Sequence, residues 1–550
     1  MKLYRYLNHS QATLRRRTPL SACHRVTRSP AHFVISLLLL LTLATAACQG
    51  ALLEPPRLAT ATARVGATPT ATAEPVVVKA PTPTGEALLD DNATTGVGPN
   101  PVLTVWINET SPAHEAALQT MASHFTAEHA INLELMRVSP ARLPELVATA
   151  VLSDTLPDVI LHPIEYTVGW AERGILDAPA ADAIIDGIGR DTFNPAALEL
   201  IRVNGETAAI PSDGYQQLLV YRADWFDERG LPPPANYDAM LTAAETLSDT
   251  TRLINSFIIP TESNLVTTHQ AFEHIATANG CRLIDEQGEV LILEPACRQA
   301  LNFYFRIVNR YSPSGVQTDA SARNAFLAGR TAMIMVPPTI LPQLAGLDSE
   351  HLPICPECGP AGADGNAINY LAQNSGVVTH ISGADPAAPA ANFGEIMAIG
   401  VTRVADLEVA AVFVDYWFNE GYDTWLAVET ERKVPMRWGT AEEPGRFIDA
   451  WGTQPVDGSN QSLADMYGQE VVDRLRDGVA DSNRWGFGQG QGALITRLYE
   501  ELTFSIVLQE MLSGYFNAEQ TIIELYQRIT DLIPNYQYYI DPEPTATADS

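Results

Sequence analysis

Polar side chains follow two predicted strands of this chain, where α/β proteins commonly bind ligands. Asn108 and Glu109 come directly after the apolar run Val102 to Ile107. His162 comes directly after Leu161, the last residue of another apolar run. In open α/β sheets, ligands sit beyond the carboxyl ends of the strands. The residues after Ile107 and Leu161 are therefore the first candidates for a binding site, with amide and carboxylate groups available for hydrogen bonds.

Four cysteines lie beyond residue 48: Cys281, Cys297, Cys355 and Cys358. An even number in an exported chain favours disulfides, most simply Cys281 with Cys297 and Cys355 with Cys358. The sequence Cys355-Pro356-Glu357-Cys358 also resembles half of a zinc ribbon or a redox motif. A zinc ribbon needs a second close cysteine pair, which Cys281 and Cys297 do not provide. We therefore expect disulfides and no metal.

Catalytic signatures are absent from the sequence. It contains no G-x-S-x-G, H-E-x-x-H, P-loop or strand-to-helix G-x-G-x-x-G motif. The enzyme class left open is a glycosidase, which needs two carboxylates about 5 to 9.5 Å apart, such as Glu109 with Asp213. The preferred prediction is that the chain is not an enzyme and needs no cofactor.

The N-terminus reads as an export signal over residues 1–47. This segment has seven basic residues and no acidic ones, and its apolar run, Phe33 to Ala47, is too short to span a membrane. The sequence Thr45-Ala46-Ala47-Cys48 resembles a bacterial lipobox, with Thr45 where that motif usually has Leu. Lipidation of Cys48 would anchor the protein to a membrane without a spanning helix. A plain secretory signal is the alternative.

Composition divides the rest of the chain into a tether, a folded part and a short tail. Residues 48–100 and 541–550 are rich in Pro, Thr and Ala, so they cannot bury enough apolar surface to fold. The 550-residue chain has 34 Lys and Arg against 65 Asp and Glu, giving a formal net charge of −31. This charge excludes a nucleic-acid binder that neutralises phosphates.

The folded part begins with alternating strands and helices. Val102 to Ile107 is predicted to be a strand, and Ser111-Pro112 to begin a helix. A strand around Ile131 to Leu135, a helix around Leu143 to Ala150 and a strand from Pro157 to Leu161 follow. This order is typical of a doubly wound α/β sheet. Helical stripes recur around residues 301–308, 407–418 and 522–532.

Seven ordered landmarks together resemble one known family. They are Leu103 to Trp106, Leu156 to Ile160, Trp170 to Leu176, Ala209 to Pro211, Leu219 to Phe226, Gly329 to Met333 and Val434 to Arg437. In order and spacing, they are similar to the family 1 extracellular solute-binding proteins, which include the maltose-binding proteins and other sugar receptors of ABC importers. The resemblance covers nearly the whole folded part.

The resemblance implies the two-lobe type II periplasmic-binding-protein fold, in which doubly wound α/β sheets are joined by hinge strands and close on a ligand. It divides the chain into an N-lobe and a C-lobe, each built from two segments: 101–211 and 394–455 for the first, 212–393 and 456–540 for the second. The final helices belong to the last segment.

Matching segment by segment to the sugar receptors implies a set of ligand-binding residues. They are Trp106, Asn108, Glu109, His162, Glu165, Tyr166, Asp213, Tyr215, Gln216, Thr339, Trp485 and Phe487. Where maltose-type receptors have a Trp platform, this chain has Val336-Pro337-Pro338-Thr339, which argues against a long glucan ligand. Aromatic rings suit the apolar face of a pyranose, and carboxylates and amides suit its hydroxyls.

Several of these residues also have purely structural interpretations. Trp106 is equally suited to packing in a core, and His162 is suited to capping a turn. Glu109 and Glu165 are suited to ordinary solvated positions. Arg484 is the evident candidate for contacting a phosphorylated ligand.

The resemblance implies an extracytoplasmic, lipid-anchored receptor for a mono- or oligosaccharide, expected to be a monomer. Its partners would be two permease subunits and a separate ATPase, because this chain has no ATP-binding motif. A polyamine, a polyol phosphate or a metal complex is the alternative ligand.

Overall fold

The computed structural model describes residues 100–358, 369–385, 388–456, 459–479 and 481–535. All of these belong to one compact unit, Thr94–Ser550. The predicted signal, the lipidation site Cys48, the tether up to residue 99 and the tail 541–550 lie outside the described residues. Among those described, no helix is both long and apolar enough to cross a membrane.

Six strands form a mixed sheet, and the part of the molecule around it is here called the first half of the fold. The strands are β1 (Val102–Ile107), β2 (Asn132–Arg137), β3 (Val159–Pro163), β6 (Ile210–Gln216), β10 (Gly394–Val401) and β11 (Val434–Pro435). Their order across the sheet is β11-β6-β10-β3-β1-β2. β1 pairs in parallel with β2 and β3, whereas β10 runs antiparallel to β3 and β6. The predicted alternation of strands and helices from residue 102 to 161 is confirmed.

Three strands form an antiparallel sheet, and the part of the molecule around it is here called the second half of the fold. The strands are β7 (Leu218–Arg222), β8 (Met333–Val336) and β9 (Ser375–Val378). Their order across the sheet is β8-β7-β9. A separate hairpin pairs β4 (Arg202–Val203) with β5 (Glu206–Thr207). Because β7 and β8 are almost wholly apolar and buried, this sheet lies inside the helices around it.

Helices cover both sheets. In the first half they are Pro112–His129, Leu143–Ser153, Thr167–Glu172, Ala178–Ile188, Pro195–Leu200, Leu407–Phe418 and Tyr422–Leu426. The others are Ala223–Arg229, Tyr237–Leu247, Val266–Ala278, Pro295–Tyr311, Asp319–Leu327, Ile340–Ala345, Tyr370–Gln373, Leu463–Tyr467, Gln469–Asp477, Gly492–Glu500, Thr503–Leu512 and Ala518–Leu532. Short 3-10 turns occupy Pro140–Arg142, Ile164–Tyr166, Arg190–Thr192 and Thr430–Arg432.

Local side-chain contacts mark the starts of two helices. Asn517 caps the last helix by accepting a hydrogen bond from the Gln520 amide. The helix predicted to begin at Ser111-Pro112 starts at Pro112, but the Ser111 hydroxyl bonds the ring of His114 at 2.7 Å and caps no backbone amide. The predicted start of this helix is confirmed.

The chain passes between the two sheets at defined points. β6 stays paired with β10 through Gln216, and β7 begins at Leu218, so the first passage is at Gln217. The chain returns between β9 and β10. Gly214 has no room for a Cβ because the carbonyl oxygen of Glu395 lies against it, which explains glycine at this close strand contact. The predicted lobe boundaries stay a prediction.

Two disulfides cross-link the second half of the fold. They join Cys281 to Cys297, 16 residues apart, and Cys355 to Cys358, 3 residues apart. These are the pairings that the sequence favoured. The Cys355-Pro356-Glu357-Cys358 segment is therefore a closed disulfide in this structure, with its thiols unavailable to a metal.

Candidate functional site

One edge of the six-stranded sheet gathers residues from segments far apart in sequence. Ile107 at the end of β1 pairs with Leu161 in β3, so Asn108 follows at the same edge. Pro163 at the end of β3 pairs with Met397, which places the start of β10 there too. Glu395, near that start, lies directly opposite Tyr215 of β6. The predicted residues Asn108 and Tyr215 are thus brought to one edge.

Two buried carboxyl groups meet at this edge. Glu165 and Glu395 are 2% and 3% exposed, and their carboxyl groups interact directly. Gln270 of the helix Val266–Ala278 donates to Glu395 Oε2 at 2.7 Å. Burial, followed by the proximity of Glu165, raises the pKa of Glu395 well above its usual value. Glu395 therefore retains its proton at a pH where an exposed carboxyl group has lost it.

Beside this pair, a third buried carboxylate has a cation of its own. Arg484 Nε lies 3.2 Å from Glu273 Oε1, and the Trp485 amide donates to the same oxygen at 2.8 Å. The Tyr499 hydroxyl donates to Glu273 Oε2 and accepts from Arg484, both at 3.1 Å. Both oxygens of Glu273 are thus satisfied. Arg484, predicted as a candidate phosphate contact, instead belongs to this internal network.

Three buried oxygen atoms near the edge accept no hydrogen bond from an N–H or O–H donor elsewhere in the described part of the chain. They are Asn108 Oδ1, Glu165 Oε2 and Glu395 Oε1. A buried polar atom without a partner costs about 1 to 3 kcal/mol, so native proteins rarely leave one unless a ligand or water completes it. Two aromatic residues at the same end of the sheet, Trp106 of β1 and Tyr215 of β6, remain partly exposed.

Glu109 takes part in a second network, at the N-terminus of the helix Pro112–His129. Arg432 donates to Glu109, and its Nε donates to Glu429 at 2.6 Å. His114 lies 3.9 Å from each carboxylate. Burial, followed by the nearby charge of Lys433, lowers the pKa of His114 to about 3, so its ring stays neutral at ordinary pH.

This network resembles a metal site only in its residue types. The side chains of Glu109, His114 and Glu429 place three potential ligand atoms within 4.8 Å of one another. However, the guanidinium of Arg432 already bonds both carboxylates, and Lys433 adds a second positive charge. A metal ion would have to displace Arg432, so the arrangement fits an internal ion pair better than a metal centre.

Asp213 and Gln216 bond to other parts of the protein, which differs from the expected ligand contacts. Asp213 accepts hydrogen bonds from Trp425 Nε1 at 2.5 Å and from the Ser212 hydroxyl at 2.7 Å. Gln216 donates to the carbonyls of Arg474 and Leu475 at 2.6 and 2.8 Å. Their polar atoms hold β6 in place and leave little capacity for a ligand.

His162 lies in the core. Its ring nitrogens are 3.1 Å from the Ile160 carbonyl and 3.0 Å from the Thr167 hydroxyl, and its ring packs on Trp170. Burial lowers its pKa to about 4. The expected ligand contact is therefore replaced by a structural role in holding the turn after β3. Tyr166 is also buried, stacked on Trp170 at 5.1 Å.

Trp485 and Phe487, two of the residues predicted to bind the ligand, lie in the packed interior. Trp485 is 4% exposed, donates its indole N–H to the Cys281 carbonyl at 2.9 Å and packs against Phe504. Phe487 lies beside the guanidinium of Arg484. Thr339 lies between β8 and the helix Ile340–Ala345 and is half-buried.

Sequence reasoning missed Glu395 and Gln270. Glu395 is the one charged residue in the eight-residue strand Gly394–Val401, every position of which is buried. A lone carboxylate in an otherwise apolar strand is a usable signal, because Glu is rarely buried without a reason. Gln270 had no comparable signal, since it is one of several polar residues in its helix.

The model of the bacterial extracellular solute-binding protein family matches residues 108–422. The chain belongs to this family. The match covers more than half of the chain and runs from the residue after β1 to the start of the helix Tyr422–Leu426. Members of this family bind solutes outside the cytoplasm and are not enzymes. The expected absence of catalysis and the expected extracytoplasmic location therefore agree with the family.

Two curated relatives align with part of the chain. One is the putative ABC transporter periplasmic-binding protein YcjN of Escherichia coli, 24% identical over 231 residues, covering 42% of this chain and 53% of that protein. The other is a probable ABC transporter-binding protein of Deinococcus radiodurans, 25% identical over 147 residues, covering 26% of this chain and 35% of that protein. The chain thus spans about half, or less, of these relatives.

Solved solute-binding structures share the fold over most of the chain. Maltose-bound MalE3 of T. maritima has a TM-score of 0.58 at 17% identity, covering 78% of this chain and 100% of that one. The GacH receptor of Streptomyces glaucescens has a TM-score of 0.60 at 18% identity, covering 80% and 100%. The predicted two-lobe type II periplasmic-binding fold is confirmed.

Proposed function

We propose that this protein is the substrate-binding component of an ABC importer and captures a carbohydrate at the sheet edge described above. The observation that carries the proposal is a set of three buried oxygen atoms that receive no hydrogen bond from a donor elsewhere in the described residues: Asn108 Oδ1, Glu165 Oε2 and Glu395 Oε1. All three can accept hydrogen bonds, and a sugar presents several hydroxyl donors.

The neighbouring aromatic residues suit the apolar part of a sugar. Tyr215 lies opposite Glu395 in the adjacent strand and keeps part of its surface exposed, as does Trp106 in β1. A pyranose ring buries its C–H face on such rings while its hydroxyls reach the carboxyl and amide oxygens. This combination supports a carbohydrate ligand more than a wholly apolar one.

Capture would work by closure about the passages between the sheets. Glu165 follows β3 of the six-stranded sheet, whereas Gln270, which bonds Glu395, belongs to a helix of the second half. A ligand that contacts both halves binds the closed form more tightly than the open form and shifts the population toward it. A transporter can then distinguish loaded from empty protein with no bond broken.

Support for a sugar also comes from the solved neighbours. Their bound molecules include maltose, laminaribiose and alpha-D-tagatose, and others hold ribitol or D-mannitol. The partners would be the permease subunits and ATPase of an importer, and lipidation at Cys48 would hold the protein at the membrane surface. The protein would act as a monomer.

A polyol phosphate fits this site poorly. Arg484, the expected phosphate contact, is fully buried and paired with Glu273. Glu165 and Glu395 would face the phosphate with like charge. A polyamine is the stronger alternative, because the same carboxyl groups attract cations.

Thermal unfolding of the purified protein with a panel of maltose, laminaribiose, tagatose, ribitol, mannitol and spermidine tests this proposal. A ligand that binds only the native state at 100 times its Kd adds about 2.7 kcal/mol of stability. We expect at least one carbohydrate to raise the unfolding temperature. Tyr215→Ala should abolish this effect, whereas Tyr515→Ala, at a residue 73% exposed, should preserve it. A response to spermidine alone would overturn the carbohydrate assignment.

A further inference from the structure

The buried carboxyl groups at the sheet edge outnumber the cations that act on them. The charged groups that act most strongly on Glu395 are Glu165, Arg484 and Glu273. Three carboxyl groups therefore surround one guanidinium. Each of these four side chains is at least nine-tenths buried, so solvent does little to screen the excess negative charge.

Arg484 pairs most closely with one of the three carboxyl groups, that of Glu273. It lies 3.2 Å from Glu273, whereas its Nη1 lies 3.6 Å from Glu395 Oε2 and donates to the Gly394 carbonyl at 3.0 Å. Glu273 also accepts from the Trp485 amide and the Tyr499 hydroxyl. The remaining two, Glu165 and Glu395, here called the carboxylate pair, have no full counter-charge.

The carboxylate pair also has unused acceptor capacity. Apart from the contact between the two carboxyl groups, Glu165 Oε2 and Glu395 Oε1 accept no hydrogen bond from the described residues although both are buried. Asn108 Oδ1, an uncharged acceptor at the same sheet edge, is likewise buried and unpartnered. Three acceptors and an uncompensated negative charge are the complement of an ammonium group, which carries three N–H donors and one positive charge.

We infer that the carboxylate pair is a subsite for a protonated amino group of the ligand, so that the preferred substrates are amino sugars or other carbohydrates bearing an ammonium group. This inference rests on the proposed carbohydrate function and narrows its substrate class. A neutral hydroxyl donates one hydrogen bond and leaves the charge uncompensated.

Charge balance follows from the same contacts. In the empty site, burial and the adjacent Glu165 keep Glu395 protonated, because two adjacent buried carboxyl groups do not both ionise. An ammonium group compensates the negative charge that remains on the three carboxyl groups and one guanidinium, so its binding needs no exchange of protons with solvent. The other titratable groups that face the pair are the ion-paired Glu273 and Arg484 and three tyrosines, Tyr166, Tyr215 and Tyr499, whose pKa values are raised by burial so that they add no charge.

Matched ligands test the inference directly. Glucosamine and galactosamine are compared with glucose and galactose and with their N-acetyl forms, by thermal unfolding and calorimetric titration near neutral pH. We expect at least one amino sugar to bind at least about tenfold more tightly than both of its neutral counterparts. Equal binding of neutral and amino sugars would overturn the inference.

Variants of the carboxylate pair test whether it causes the preference for amino sugars. Glu395→Gln should remove the preference for amino sugars, whereas Glu500→Gln should preserve it, because Glu500 has its own partner in Arg173 at 2.6 Å. If Glu395→Gln does not fold, Glu165→Gln serves the same purpose. An unchanged preference in the pair variant would contradict the assignment.

The outcomes separate this inference from the proposed function. Binding of neutral sugars without an amine preference overturns the ammonium subsite and leaves carbohydrate capture standing. Binding of spermidine without any sugar supports the ammonium subsite and overturns carbohydrate capture. No response to any of these compounds contradicts both.

Discussion

Glu395 lies directly opposite Tyr215 across the β6 and β10 pair, and its carboxyl group interacts with that of Glu165. Both strands join the six-stranded sheet to the rest of the fold, because β6 leads into β7 and β10 follows β9. The candidate binding residues are therefore attached to the segments that would move during closure. Under the proposed closure, contact with a ligand here would act directly on the segments that pass between the sheets.

Arg484 is predicted to be essential for stability. Replacing it with Met leaves the buried carboxylate of Glu273 without its cation, and breaking a buried ion pair in this way costs about 3 to 5 kcal/mol. Urea unfolding should show this loss. Arg173→Met is the matched control, since Arg173 is 46% exposed in its ion pair with Glu500 and should lose only about 0 to 1 kcal/mol. Similar losses in both variants would contradict the Arg484 network.

His162 is predicted to make stability depend on pH. Its pKa is lowered by burial from 6.5 to about 4, so the unfolded chain binds this proton at a higher pH than the folded protein. The contribution of the neutral His162 ring to the free energy of unfolding is complete above about pH 6.5. It falls by at most about 3 kcal/mol as the pH drops to about 4.

His162→Gln should therefore make the free energy of unfolding less dependent on pH between about 4 and 6.5. The stability gap between wild type and variant is expected to shrink as the pH falls, measured by urea unfolding at several pH values. His124→Gln, at an exposed residue of the first helix, should leave the gap unchanged with pH. A constant gap for His162→Gln would show that this ring does not titrate differently on folding.

The two disulfides are predicted to contribute unequally. The loop closed by Cys281 and Cys297 is longer than the loop closed by Cys355 and Cys358, with separations of 16 and 3 residues. Chain-entropy estimates give about 3 kcal/mol for the first and about 2 kcal/mol for the second. Paired Cys→Ser variants compared by urea unfolding check this order, and the opposite order would contradict the entropic account.

Trp485 is predicted to act as a core residue. Trp485→Ala should cost about 3 to 5 kcal/mol because it leaves a cavity beside Phe504, and Trp485→Phe should cost less because it mainly removes the hydrogen bond to Cys281. Unfolding measurements distinguish this role from a binding-wall role. If Trp485→Ala left stability intact and removed sugar binding, the result would support the predicted role of Trp485 in ligand binding and contradict its role in the core.

The fold was largely predictable because periodic apolar patterns reflect local geometry. The run from Val102 to Ile107 and the stripe from Leu407 to Phe418 appear in the structure with those bounds. The passage at Gln217 was less visible, since β6 and β7 are separated by one residue and read as one continuous run.

The site was predictable only in part. Asn108, Glu165 and Tyr215 follow or belong to recognisable strands, so their position at one edge follows from topology. His162 and Trp485 have residue types that suit both a core and a ligand, and only three-dimensional packing separates these roles. Glu395 comes from a segment 180 residues beyond Tyr215, and the pairing that joins them is a long-range contact.

Amide hydrogen exchange tests the central claim most directly, comparing the protein alone with the protein saturated by the carbohydrate that gives the largest thermal shift. The account predicts slower exchange on both sides of the site, in Asn108 and Glu109, in Ile164–Tyr166 and at the start of β10. Protection confined to another surface, such as the groove along β9 lined by Gly376 and His380, would contradict it. So would the absence of a thermal shift with every carbohydrate.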